Sequence, residues 1–273
     1  MIRILLKDGN FGPGFVGISH YTGMHFRFTH CLGRSLAAAV LAHGASVVIA
    51  SSSQEKVNAA LEKLKQEVPP APNATITGQA VDLKNFTALK EFLSNEGPFD
   101  HFVITAGDLP GNFNFPDQEI DPAITKSYFE LALVSGIGRR VPSDRTAQHI
   151  HKNKLINPGG SIIQTIGASH YRPPPGWGLI SAVVGAVESS TRGLAIDLKP
   201  IRVNTICPGL VDTEFHDSMP TDAKEQFFQS QREKLPVGHV GTPEEVAEAY
   251  IFAMKCTYLT GQVIVVDGGG VLV

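Results

Sequence analysis

Short runs rich in β-branched residues recur along this chain at residues 46–50, 75–81, 101–105, 161–165, 202–206 and 262–266, with helix-period segments between them. Continuous apolar strands of this length suit a sheet buried on both faces, and helical crossovers let neighbouring strands run parallel. The pattern therefore predicts an α/β fold: a Rossmann-like doubly wound parallel sheet flanked by helices. Helices are expected at residues 34–43, stopped by Gly44, at 54–66 before Pro69, Pro70 and Pro72, and at 179–198, 222–233 and 243–254. With 273 residues and 42% hydrophobic content, the chain can fill one large core, so 1–273 is read as a single domain.

Residues 1–32 depart from this order. Residues 1–6 can form a strand, but 7–31 mix glycine, histidine and phenylalanine with neither helical nor strand period. The first strand and the loop after it are therefore expected to be irregular.

Formal charge is -3, with acids and bases interspersed, which gives no footprint for nucleic acid or an anionic membrane surface. Cys31, Cys207 and Cys256 are odd in number, far apart and not arranged in metal-ligand pairs, which suits a reducing compartment and predicts no metal site. No apolar run approaching the roughly 18–20 residues of a membrane span is expected, and 1–6 is too short for a signal-peptide core. A cytoplasmic protein is the expectation.

The segment Ile201-Arg202-Val203-Asn204-Thr205-Ile206-Cys207-Pro208-Gly209 resembles the "IRVNxIxPG" strand and turn of the short-chain dehydrogenase/reductase superfamily. Gly241-Thr242-Pro243-Glu244-Glu245-Val246-Ala247 and the segment from Leu259 to Gly269 are similar to two later family motifs. Val81-Asp82-Leu83 and Thr105-Ala106-Gly107 extend the resemblance over about residues 33–273. The resemblance implies a nicotinamide dinucleotide at the C-terminal edge of the sheet. Asp82 and Leu83 would lie at adenine, Ala106 and Gly107 under the ribose, and Pro208, Gly209 and Thr213 along the nicotinamide.

The family's phosphate loop, Thr-Gly-x-x-x-Gly-x-Gly, places backbone amides and a helix N-terminus against pyrophosphate. Counting back from Ser51 puts its last glycine at Gly33, but Phe26, Arg27 and Cys31 occupy the preceding loop positions. Thr22-Gly23 and the Gly12-to-Gly17 run compete as substitutes. Residues 7–31 are read as an insertion or a mistranslated exon boundary. Beyond the second strand stand Ser51-Ser52-Ser53, with no carboxylate to bond a ribose 2′-hydroxyl, which favours NADP(H) over NAD(H). Serines at a helix N-cap account for the cluster equally well, and a loop that is truly absent implies no cofactor.

Ordinary family members use serine, tyrosine, lysine and asparagine to bind and protonate a carbonyl. Alignment places the tyrosine position at Ile180, the lysine at Val184, the serine near Gly167 and the asparagine near Ala132. No Tyr-x-x-x-Lys occurs anywhere in the chain. The Arg172-to-Trp177 loop resembles an atypical branch lacking that pair, some fungal members of which act as NADPH-dependent iminium reductases or cyclisation catalysts in natural-product pathways. Candidate catalytic groups are Asp108, Ser169, His170 and Tyr171. The expected function is an NADP(H)-dependent oxidoreductase of specialised metabolism acting on a small molecule without the usual acid. The alternatives are a non-redox cyclase or isomerase and an inactive dimer partner. The family's pairing helices, here residues 127–150 and 179–198, imply a homodimer or homotetramer.

Overall fold

The computed structural model describes residues 4–7, 30–68, 74–82, 85–105, 142–214, 216 and 219–273. Among these, the strands are β1 (Ile4–Lys7), β2 (Ser46–Ser51), β3 (Ile76–Ala80), β4 (Phe99–Val103), β5 (Ile156–Thr165), β6 (Arg202–Pro208) and β7 (Val263–Val266). The helices are α1 (His30–Ala42), α2 (Gln54–Glu67), α3 (Phe86–Glu96), α4 (Pro142–Lys152), α5 (Gly178–Asp197), α6 (Thr221–Arg232) and α7 (Pro243–Lys255).

The strands form one sheet in the order β3-β2-β1-β4-β5-β6-β7. Because side chains alternate across a strand, β2 serves both faces. Val47 and Ile49 join a core with Leu36 and Val40 of α1, Val57 and Leu64 of α2, and Val246 and Tyr250 of α7. Val48 and Ala50 join the opposite core with Phe92 of α3 and Ile150 of α4, against which Ala186 and Leu194 of α5 pack. Burial on both faces explains why these strands read as unbroken apolar runs.

The expected irregularity at the first strand takes a definite form. β2–β3, β4–β5, β5–β6 and β6–β7 pair in parallel, whereas β1 pairs antiparallel with both β2 and β4. The interior slot between β2 and β4 is filled by a strand running the opposite way.

The long helix α5 also departs from expectation. It is long and apolar enough to cross a membrane by length and composition, where no such run was expected. Its Ile180, Val183 and Val187 are buried, and the Thr191 hydroxyl lies 2.6 Å from that of Thr205 in β6, so the helix is a wall of the core.

The polar residues of the β6 motif hold this half of the fold together. Arg202, 6% exposed, donates through Nη1 to the carbonyls of Ala253, Cys256 and Leu259, and through Nη2 to those of Met254 and Gly159. A buried guanidinium thus satisfies the carbonyls left over at the end of α7, where a cation also complements the helix dipole. Asn204 donates to the Leu259 carbonyl and accepts from the Gln262 amide, bracketing the turn into β7.

Candidate active site

The C-terminal ends of β2, β5, β6 and β7 define one edge of the sheet, where α2 and α5 begin. On the β2 side the three serines separate into different roles. Ser53 is the N-cap of α2 and accepts from the Lys56 amide. Ser51, the last residue of β2, is 1% exposed, and its buried Oγ has no hydrogen-bond partner among the described residues. Ser52 is exposed between them. The capping explanation therefore covers Ser53 and leaves Ser51 as a buried hydroxyl awaiting a partner. Asp82 follows β3 and is exposed. Leu83, Ala106, Gly107, Asp108 and Ala132 lie outside the described residues, as do residues 8–29 with both substitute glycine runs.

Gly33 falls in the first turn of α1 and is buried. The strand that should lead into it is β1, whose reversed direction separates the strand's C-terminal end from the helix N-terminus. A short strand–turn–helix cradle for pyrophosphate is therefore not formed by β1 and α1.

On the β6 side the turn is tightly built. A Cβ added at Gly209 would stand 2.6 Å from the Asp267 Cβ, so only glycine lets the two chains approach this closely. Asp267 in turn accepts from the Gly269 and Val271 amides and fixes the turn after β7. Pro208 ends β6, and Thr213 is buried beyond it.

Between these sides, β5 gives way to a 3-10 turn, Ala168–His170. The serine-matched position is Gly167, and a Cβ placed there would be 3.5 Å from the Ser169 hydroxyl. The Ser169 hydroxyl therefore lies beside the serine-matched position. Ile180 is buried and Val184 half-buried on α5, and neither side chain carries a transferable proton.

His170 is turned inward. Its Nδ1 lies 2.9 Å from the Gly167 carbonyl and its Nε2 2.7 Å from Glu188 Oε2, while its ring packs 3.9 Å from that of Tyr171. Burial alone would raise the Glu188 carboxyl, but contacts with His170 and Tyr171 and the nearby charge of Arg192, 3.6 Å away, outweigh it and hold the group below its ordinary value. Burial, reinforced by Glu188, pushes the Tyr171 hydroxyl up to about 12. The Cys207 thiol, near the end of β6, is likewise pushed up to about 12, first by burial and then by Glu188 and Asp267.

The structure thus brings Ser169, His170 and Tyr171 together and adds Glu188, which sequence reasoning missed. The available signal was spacing, since Ile180, Val184 and Glu188 recur every four residues and share one helix face. Among the described residues, no three His, Cys, Asp or Glu side chains are grouped to hold a metal ion.

Comparison with known proteins agrees with this architecture. Residues 18–273 match the SDR-like Rossmann domain. The short-chain dehydrogenase/reductase malC of Malbranchea aurantiaca is 31% identical over 251 residues, covering 89% of this chain and 92% of its own. The short-chain dehydrogenase/reductase ucsE of an Acremonium species is 30% identical, with 89% and 92% covered. Among solved structures, the MalC reductase/Diels-Alderase of M. aurantiaca superposes with a TM-score of 0.78 at 28% identity, covering 92% of this chain and 96% of that one. A small-chain dehydrogenase in complex with NADPH superposes with a TM-score of 0.67 at 26% identity, with 92% and 98% covered. The fold, the β6 turn and these relatives together establish that the chain belongs to the short-chain dehydrogenase/reductase family and is an oxidoreductase.

Proposed function

We propose that this protein is an NADP(H)-dependent reductase of specialised metabolism whose substrate is a small molecule with a carbon–nitrogen double bond. One observation carries the reading: the helix face that should bear the tyrosine and lysine presents Ile180 and Val184, while the turn joining Gly209 and Asp267 is intact. A cleft of this kind retains the wall for a nicotinamide and has lost the phenol that protonates an alkoxide.

The unpartnered Ser51 hydroxyl fits the cofactor's ribose and phosphate, and Ser52 beside it adds a second donor without a repelling carboxylate. Asp82, Leu83, Ala106 and Gly107 would hold adenine and ribose, with Pro208, Gly209 and Thr213 beside the nicotinamide. When bound, the cofactor supplies the hydride. The chain's own part is to exclude water behind Ile180 and Val184 and to hold polar substrate atoms with Ser169 and Tyr171. Gly33 alone remains of the pyrophosphate loop, so affinity is expected to be lower than in members with the full motif.

The NADPH-bound structural neighbour and the fungal relatives support this reading. Fluorescence titration with NADPH tests it, together with turnover of a cyclic imine against a matching ketone. Binding with imine-selective reduction is expected; absence of binding at high micromolar NADPH overturns the reading. The name of the MalC reductase/Diels-Alderase favours a second reading, a cyclisation in the same cleft that proceeds equally well without cofactor. The assembly is expected to be a homo-oligomer paired through α5, whose Ile196 is 70% exposed; a monomer in light scattering would refute that pairing.

A further inference from the structure

The ring of His170 sits between two acceptors, and the reductase reading leaves it without a task. The Gly167 carbonyl has no proton to give, so Nδ1 donates to it. A neutral ring would then aim a bare Nε2 lone pair at the Glu188 carboxylate 2.7 Å away. That contact is favourable only if a hydrogen lies between them, so the geometry calls for one proton shared between His170 and Glu188.

Its location gives the pair a purpose. Glu188 lies one turn beyond Val184 on the face carrying Ile180. A transferable proton has thus returned to the helix face that lost its lysine and tyrosine, supplied from the loop after β5. The His170 side chain is 8% exposed and that of Glu188 22%, so the carboxylate is the member that opens outward.

We propose that His170 and Glu188 are the proton source of this cleft and deliver one proton to the nitrogen of a neutral imine. The proposal rests on the reductase reading above. In the step, the His170 Nε2–H bond breaks as a Glu188 Oε2–H bond forms. Glu188 then passes that proton to the imine nitrogen, leaving a neutral imidazole, a carboxylate and an iminium ion. Charge is conserved, no oxidant or reductant takes part, and water later returns a proton to His170. An imine nitrogen is basic enough to take a proton from such a pair, whereas a ketone oxygen is too weakly basic and must wait for a stronger donor arrangement.

Among the described residues, the other ionisable groups facing this pair are Tyr171 from the loop, Arg192 from α5 and Cys207 from β6, with Asp267 beyond Cys207. Tyr171 and Cys207 keep their protons and Arg192 its charge throughout the neutral range. The pH response therefore belongs to His170 and Glu188.

Two substrates and one spectrum test this. Single-turnover reduction with NADPH is followed for dihydroisoquinoline and for its N-methyl iminium salt, which needs no proton. The imine rate is expected to fall as pH rises, and the salt rate to be flat. His170→Gln and Glu188→Gln are each expected to lower the imine rate relative to the salt rate by roughly 100-fold or more. In substrate-free protein at neutral pH, histidine 15N resonances should report a proton on His170 Nε2. Equal losses on both substrates, or a bare Nε2 at neutral pH, overturn the proposal. If neither substrate is reduced while Nε2 is protonated, the reductase reading fails and the delivery step with it; reduction of the salt with a pH-independent imine rate overturns the delivery step alone.

Discussion

Leu5 of β1 faces Val48 of β2 across an antiparallel ladder inside a sheet whose neighbouring strands run parallel everywhere except at β1. The same ladder sets Lys7 opposite Ser46, the first residue of β2, so β1 ends at the sheet edge where β2 begins. Helix α1 also finishes there, turning through Gly44 into β2, and its N-terminus therefore stands at the opposite edge. A phosphate loop needs a strand end and a helix start at one edge. In this chain the end of β1 and the start of α1 lie at opposite edges.

The register is testable by cross-linking. Lys7→Cys with Ser46→Cys places two thiols on directly paired residues, within the Cα separation a disulfide spans. Under mild oxidation this pair is expected to form a bond, seen as a mass decrease of two hydrogens and faster migration on a non-reducing gel. A parallel β1 would leave the thiols unlinked.

Arg202→Met should be costly. The substitution leaves the carbonyls of Ala253, Met254, Cys256 and Leu259 without that donor inside the protein. A loss of about 3–5 kcal/mol in urea unfolding is expected, as for breaking a buried charged network. Arg202→Lys restores the charge without the planar fork and should recover only part of it.

His101 makes the fold sensitive to acid. It is buried in β4, with Nδ1 2.8 Å from the Ser161 hydroxyl. Burial first, and then the Arg202 charge, hold its ring well below the ordinary histidine value. A folded-state value below the unfolded one means that the unfolded chain binds the extra proton. Stability from this group is complete above about pH 6.5 and falls as pH drops below that, by at most about 1.4 kcal/mol per unit. His101→Gln should flatten this part of the stability–pH curve, as measured by denaturant midpoints across mildly acidic buffers.

Cofactor preference should respond to Ser52. Ser52→Asp adds a carboxylate at an exposed position after β2, where it opposes a 2′-phosphate. NADPH affinity is expected to weaken by about tenfold, or roughly 1.4 kcal/mol, with NADH affinity unchanged or improved, read from paired fluorescence titrations.

Most of the strand and helix order was legible because both faces of the sheet are buried. The runs at 46–50 and 202–206 correspond to β2 and β6, and the helix expected at 179–198 is α5 one residue earlier. The direction of β1 was not legible, since four residues of strand-forming sequence read the same whichever way they enter a ladder. Glu188 escaped for a different reason. Its partner His170 comes from a loop, and that meeting depends on the 3-10 turn after β5 instead of on any helical spacing. At the end of β2 three serines read alike in sequence, and only the structure separates the cap, Ser53, from the buried hydroxyl of Ser51.

The nearness of the Ser169 hydroxyl to the space beside Gly167 bears on how such proteins are catalogued. Compared column by column, this chain has forfeited its serine. Compared by position in space, a hydroxyl stands beside the same turn two residues along, and a survey that counts letters would record only the loss.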